Sequence, residues 1–484
     1  MASLGVTPPI SLDPPTPEDV QANDLLIKEL KSRSSFETET ATKKRAAVLT
    51  ELQALANRFS PHGSKLFTFG SYRLGVYSPD SDIDALLVFP KNITRDHFFT
   101  EFPKILKDNS FSEIVPVVDA FVPVIKMKKN VSIDLLFARL SVPKITSSLV
   151  LSDEVLKTAD ASDMRALNGT RVTDEILQLV PKPQSFKYAL RLIKIWAMER
   201  GIYGNVYGYP GGVAWAMLVA RVCQLYPNAV AATIVSKFFQ IFSQWAWPQP
   251  VLLKPILSGP LRVWNPLLYP GDRLHRMPVI TPAYPSMCAT HNITKSTMAV
   301  ILEELERGRS LGLPELLARH DFFHRFRFYL CIAVASKGEE LHFHGWCESK
   351  IRFLVGKLEV VPGVQLARPF PRSFEQRVAT AEALQECGTT TGDSLEAGEY
   401  CVSLYYIGLV LSEKVLDISS GCADFFSVCK GWPEYKPGEH FVSIRTVKLA
   451  QLSAAVYPQG EVRPRKRKRR EAGGDKKRAK SVET

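Results

Sequence analysis

Residues 67–89 read FTFGSYRLGVYSPDSDIDALLVF, and this stretch limits the fold more than any other. A small-residue turn, Gly70-Ser71, closes one apolar run, and two acids, Asp82 and Asp84, open the next. Side chains two apart in a strand project from one face. The two carboxylates therefore point together, with Ile83 facing the opposite layer. Paired carboxylates repel unless a positive charge sits between them, and hard divalent cations take oxygen ligands. A Gly-Ser turn that opens a helix at Tyr72 offers backbone N–H groups and a hydroxyl to a phosphate. A phosphate seat beside a metal seat implies phosphoryl or nucleotidyl transfer.

A third acid follows from strand alternation. Strands over Ala120–Lys128 and Val131–Ala138 are expected to flank a tight turn at Lys129-Asn130. In the second, Ser132, Asp134 and Leu136 alternate with Val131, Ile133 and Leu135, so Asp134 faces away from its apolar neighbours. Upstream, helices are expected over Asp19–Lys31 and Ala41–Phe59, the latter with Val48, Leu52, Leu55 and Phe59 on one face. Lys65–Arg139 reads as short strands with one helix near His97–Lys107. A helix over Ser185–Arg200 carries Lys187, Arg191 and Lys194 as a basic stripe. Tyr203, Asn205 and Tyr207 then lead into Pro210-Gly211-Gly212, where glycine lets backbone approach a ligand.

The strings FGSYRLGV and SDIDALLV resemble the nucleotidyltransferase superfamily that includes DNA polymerase β, and eukaryotic nuclear poly(A) polymerases in particular. VVDAFVPVIKMKKNVSIDLLFARL, NGTRVTDEI and YPGGVAWAMLVARVCQLYP are similar to the same family, and the resemblance runs from Gly5 to about Pro458. It implies an α+β multidomain protein: an extended lead-in over 1–18, a nucleotidyltransferase α/β catalytic domain over 19–182, a helical central domain over 183–338 and an RNA-recognition-like α/β C-terminal domain over 339–458. Residues 228–330 read as helices and Pro-rich loops. After them come helix, strand, a polar insert near Gly388–Gly392, a strand over Tyr400–Leu411, a helix and a strand over His440–Leu452.

The implied reaction is template-independent transfer of AMP from ATP to the 3′-hydroxyl of messenger-RNA precursors, with pyrophosphate leaving. Asp82, Asp84 and Asp134 are the implied catalytic and metal-binding residues, for two magnesium or manganese ions. Gly70 and Ser71, with Phe69 supporting the turn and Ser78 adding a hydroxyl, are assigned to the phosphates. Lys194 and Tyr203 are assigned to the triphosphate and sugar, and Val122, Asn205, Gly212 and Val213 to the adenine. Phe121, Val122, Lys126 and Asn168 are the candidates for the RNA 3′ end. Two alternatives stay open on the residues alone: a uridylyl- or CCA-adding transferase, or an inactive RNA-binding scaffold.

Composition sets the remaining bounds. The 484 residues exceed what one compact core holds. Eight cysteines are scattered without a Cys-x-x-Cys pair, which fits a reducing compartment rather than a disulfide framework or structural zinc. His342, His344 and Cys347 lack a fourth ligand nearby and read as ordinary surface or core residues. Apolar runs are interrupted before membrane length, and the Pro- and Asp-rich start lacks the pattern of a signal peptide. The net charge is +12, most of it in the last 24 residues, where eleven Lys or Arg face four Asp or Glu. That tail, RPRKRKRREAGGDKKRAK, is expected to be a disordered arm and a nuclear localisation signal. The expected partners are ATP, an RNA 3′ end and subunits of the cleavage and polyadenylation complex, with no membrane and a monomeric catalytic unit.

Overall fold

The computed structural model describes residues 5–118, 120–338, 341–379, 398–412 and 417–457. The polar insert near Gly388–Gly392 and the basic tail lie outside them. Two compact units divide the chain: residues 1–320 with 348–359, and residues 321–347 with 360–484.

The first unit begins with two helices, each capped by a threonine side chain on an otherwise orphaned N–H. Thr16 caps α1 (Pro17–Ser32) and Thr38 caps α2 (Glu39–Phe59). A five-stranded sheet follows: β1 (Lys65–Thr68), β2 (Ile83–Pro90), β3 (Ser112–Val117), β4 (Val124–Lys129) and β5 (Val131–Leu140), in the order β1-β2-β5-β4-β3. The short helix α3 (Gly70–Leu74) joins β1 to β2, and α4 (Arg95–Asp108) joins β2 to β3. β2 and β5 run parallel in the centre, which is why both read as near-continuous apolar runs.

Alternation along these two strands builds two cores. Ile83, Ala85, Leu87, Phe89, Ile133, Leu135 and Phe137 pack with Leu52 and Leu55 of α2 and Phe98 and Phe102 of α4. Leu86, Val88, Leu136 and Ala138 face the other way, onto Ala166 and Leu167 of α5 (Ala161–Gln178). Asp84 and Asp134 share the parity of this second set. They therefore lie on the α5 side, at the strand ends where the apolar runs begin.

Two expected elements are shorter than the alternation suggested. The strand placed at Ala120–Lys128 begins only at Val124, leaving Phe121 and Val122 in a bend. Pro123 has no N–H to donate to a ladder, so pairing starts after it. The strand placed at His440–Leu452 ends at Lys448 and passes into a 3-10 turn at Leu449–Gln451. The helix expected to open at Tyr72 instead starts at Gly70 and ends within five residues at Gly75, whose φ of 71° is left-handed.

Behind the sheet, α6 (Pro183–Glu199), α7 (Gly212–Leu225) and α8 (Ala231–Ser243) form a helical body. Its centre is aromatic: Trp196 meets Trp215 edge-on at 5.6 Å and Phe239 at 4.8 Å between ring centroids. Arg200, just past α6, makes a buried ion pair with Glu304 at 2.8 Å, which ties α6 to the helix Lys295–Gly308.

The second unit is a sheet in the order β10-β6-β9-β7, with β8 also paired to β9. Its strands are β6 (Phe328–Lys337), β7 (Val364–Pro369), β8 (Phe374–Val378), β9 (Tyr400–Leu411) and β10 (His440–Lys448). With helices His342–Glu348 and Ser419–Lys430, strands β6, β7, β9 and β10 give the split β-α-β-β-α-β arrangement expected of an RNA-recognition-like fold, and β8 is an extra strand. β6 starts at Phe328, inside the stretch read as helices and Pro-rich loops. Cys347 is buried, and so is the His344 ring, hydrogen-bonded to Ser336 Oγ at 2.9 Å and Ser403 Oγ at 2.7 Å. Burial lowers its pKa to about 4, so this histidine is a neutral core residue.

Candidate active site

The turn at Gly70 and the acid Asp84 are built against each other. Phe69 N–H donates to the Asp84 carbonyl at 3.1 Å, and Gly70 takes a φ of 60°. A Cβ on Gly70 would lie 2.1 Å from Asp84 Oδ2. Glycine is thus required twice here, by the left-handed backbone and by the carboxylate that fills the side-chain position. The Phe69 ring packs so closely on α5 that a Cβ at Gly169 would approach it to 2.9 Å.

Parallel pairing then sets Asp84 directly beside Asp134, since the two are register partners across β2 and β5. Asp82 lies one residue before β2. All three acids feel one another. Burial first, then Asp82 and Asp134, push the Asp84 carboxyl up to about 7, and burial followed by Asp134 raises Asp82. Lys126, the antiparallel register partner of Asp134, reaches it with Nζ at 3.0 and 3.3 Å.

A cavity of about 410 Å3 opens over these groups. Nine of the proposed nucleotide-binding residues line it: Gly70, Ser71, Ser78, Asp82, Asp84, Lys194, Tyr203, Gly212 and Val213. Lys194 is largely removed from water; burial and then the neighbouring Arg191 charge lower its pKa to about 8, while Asp82 and Asp84 pull the other way. Tyr203 is partly buried, and burial followed by Asp84 and Asp82 raises its pKa. Its hydroxyl sits where a Cβ on Gly212 would come within 2.7 Å, so Gly212 gives the phenol its place.

The remaining candidates lie off this wall. Phe69 is behind the turn, Asp134 is at the neighbouring strand, and Val122 packs against the α5-side core. Asn205 is close to Gly211, with its buried Oδ1 lacking a hydrogen-bond partner among the described residues. Of the RNA candidates, Phe121 is 79% exposed, and Arg165 of α5 stacks on its ring at 4.6 Å. Asn168, one turn along α5 from Arg165, receives a hydrogen bond from Arg171 at 3.5 Å.

Ser81 and Thr173 were not foreseen, and both line the cavity. Ser81 stood next to Asp82 in the sequence; its hydroxyl ties back to Ser78 at 3.0 Å. Thr173 carried no signal, because its nearness to Gly70 N (3.4 Å) spans 103 residues. Leu74, Val76, Leu190 and Met198 complete the apolar lining.

The three acids suit divalent cations in donor chemistry, being hard oxygen ligands. As the side chains stand, no trio of His, Cys, Asp and Glu among the described residues is gathered to grip an ion. The Lys126 ammonium holds Asp134 instead. No described helix is long and apolar enough to cross a membrane.

A Gly-Ser turn facing strand-borne acids, with a half-buried lysine across the cavity, defines a nucleotidyltransferase site. Comparison with known proteins narrows the class. Residues 5–180 match the poly(A) polymerase nucleotidyltransferase domain, 185–317 the poly(A) polymerase central domain and 321–466 the poly(A) polymerase predicted RNA binding domain. The chain is 53% identical to poly(A) polymerase PAPa of Candida albicans, with 100% of this chain and 99% of the relative covered. It is 45% identical to poly(A) polymerase pla1 of Schizosaccharomyces pombe, over 96% and 95%. The Cid1 poly(U) polymerase structure with MgGTP bound is similar at 15% identity and a TM-score of 0.46, covering 62% of this chain and 99% of that one. The chain belongs to the poly(A) polymerase family.

Proposed function

We propose that this site extends RNA 3′ ends with AMP from ATP by a two-metal mechanism, with messenger-RNA precursors as substrate. The observation that carries the reading is the convergence of Asp82, Asp84 and Asp134 beside the Gly70-Ser71 turn and Lys194. The 3′-hydroxyl oxygen attacks the α-phosphorus, the bond from that phosphorus to the bridging oxygen breaks, and pyrophosphate leaves. Asp82, Asp84 and Asp134 would hold two magnesium or manganese ions, which supply Lewis-acid stabilisation of the attacking and departing oxygens.

The chain's own residues do the rest. Gly70 N–H and Ser71 cradle phosphate oxygens, and Ser78 adds a hydroxyl. The Lys194 ammonium, drawn out of water, neutralises the triphosphate more strongly than an exposed lysine does. Tyr203 donates its phenol to triphosphate or sugar. Asp134 accepts the hydroxyl proton once Lys126 has moved from it to an RNA phosphate. The buried Asn205 oxygen accepts the exocyclic amine of adenine, where uracil presents another acceptor; Val122, Gly212 and Val213 supply apolar contact. Phe121 and Asn168 flank the RNA end.

The nucleotidyltransferase domain acts over 19–182 and the helical central domain from 183, with the RNA-recognition-like domain taking over by β6 rather than at residue 339. The polymerase works as a single chain in the nucleus, carried there by the tail and recruited to precursors by subunits of the cleavage and polyadenylation complex. A nucleotide panel on an oligo(A) primer tests the reading. ATP should be incorporated far better than UTP, CTP or GTP, and efficient UTP or CTP addition with poor ATP addition would overturn it.

A further inference from the structure

Between the phosphate turn and the first acid, the chain must span Gly75 to Ser81 with no regular secondary structure. Its carbonyls there need partners, and two buried arginines supply them. Arg191 of α6 donates from Nη2 to the Gly75 carbonyl at 3.0 Å and from Nη1 to the Tyr77 carbonyl at 2.7 Å. Arg45 of α2 donates from Nη2 to the Pro79 carbonyl at 2.8 Å and from Nη1 to the Ser81 carbonyl at 2.7 Å. Every second carbonyl, at 75, 77, 79 and 81, is thereby taken by a guanidinium. The Val76 carbonyl turns the other way, to Lys194 Nζ at 3.4 Å, and Val76 and Ser78 line the nucleotide cavity.

Both arginines are themselves fixed. Arg45 is 3% exposed, lies 5.3 Å from the Tyr77 ring centroid and pairs through Nε with Glu37 at 3.0 Å. Arg191 is 8% exposed, stacks on Phe36 at 4.8 Å and also donates to the Ser35 carbonyl. The planar fork of a guanidinium fixes the spacing of two acceptors as an ammonium does not. The geometry points to Arg45 and Arg191 as positioning residues. They form a two-guanidinium clamp that fixes the path of residues 75–81, including the turn in which Ser81 N–H donates to the Ser78 carbonyl at 3.0 Å, and so sets the separation of Asp82 from the Gly70-Ser71 phosphate turn. This rests on the proposed roles of Asp82 and that turn. Misplacement by about 1 Å in such an arrangement costs on the order of 100-fold in rate.

Four full-length variants test the clamp: Arg45→Met, Arg191→Met, Arg45→Lys and Glu37→Gln. Each is assayed for kcat and ATP KM on an oligo(A) primer and for amide hydrogen exchange. With either methionine, exchange should speed up at residues 76–82 while β2 and α2 stay protected. kcat should fall at least about tenfold, with ATP KM within about threefold for Arg45→Met. Arg45→Lys, able to reach one carbonyl, should fall between, and it decides the matter if Arg45→Met does not fold. Glu37→Gln keeps its acceptor and should leave kcat within about twofold. Unchanged exchange at 76–82, unchanged kcat in Arg45→Met and Arg45→Lys, or exchange rising equally through β2 and α2 would overturn the clamp. Failure of the wild-type chain to transfer AMP would overturn the functional reading instead, and the exchange measurement would still judge the clamp.

Discussion

At the scale of single residues, Gly70 and Asp84 occupy each other's space, and that makes the site intolerant of small changes. Gly70→Ala places a methyl 2.1 Å from the Asp84 carboxylate in a left-handed backbone. Stability should fall by about 1–2 kcal/mol, and AMP transfer by about 100-fold because the acid must move; melting and primer extension check the two separately. Asp82→Ala or Asp134→Ala should reduce extension by roughly 1,000-fold or more with RNA binding retained in a filter-binding assay. Lys194 titrates near 8 and carries its charge below that pH. Direct ATP binding should therefore weaken from pH 7 to pH 9 as the ammonium is lost, and Lys194→Arg should weaken less over that range, the remaining slope belonging to the Asp84 carboxyl raised to about 7. Strand alternation gave the faces of Asp84 and Asp134, and the family resemblance joined them in one acid set. Thr173 was invisible because nothing in its own neighbourhood records a turn 103 residues away.

Among the elements, the parallel pair β2 and β5 does the aligning, and the helices around it hold it still. The register that sets Asp84 opposite Asp134 is specified by burial on both faces: a one-residue slip would exchange the α2/α4 core for the α5 core on every side chain. α6 links this sheet to the helical body, with Lys194 on the cavity, Arg191 on the loop and Arg200 anchored on Glu304. Glu304, 1% exposed, also accepts from Arg307 at 2.9 Å. Glu304→Ala removes one carboxylate from two guanidiniums and should cost about 3 kcal/mol or more, read as a drop in urea midpoint at unchanged slope. Element existence was plain where apolar periodicity was long, as in α2 and α6, but not for β6, which begins inside a stretch read as helices and Pro-rich loops. Element ends were not, since Pro123 cut one strand short and Gly75 cut α3 to five residues.

For the whole molecule, the path of the chain between the two units matters. After β6 and the helix His342–Glu348, the segment 348–359 belongs again to the first unit. There Glu359 accepts from Thr294 Oγ1 at 2.6 Å, at the start of the helix Lys295–Gly308, and Tyr207 donates to Glu348. A chain ended at His320 loses both contacts. The first unit's thermal transition should then fall by several degrees relative to the full chain, as the loss of about 1–2 kcal/mol would give; scanning calorimetry of the two chains checks it.

The sequence by itself determined the chemistry: FGSYRLGV and SDIDALLV, a third acid on a later strand, and a basic stripe on an apolar helix. These are local facts, because spacing of two along a strand or four along a helix fixes which side chains share a face. Tertiary structure decided which of them meet. It set Asp84 beside Asp134 through parallel register, brought Ser81 and Thr173 to the cavity, and left Asn205 with a buried oxygen to fill. It also turned Arg45 and Arg191 from charges on two helices into donors to one loop. Such pairings join residues 34 to 116 apart, and local periodicity carries no information across that distance.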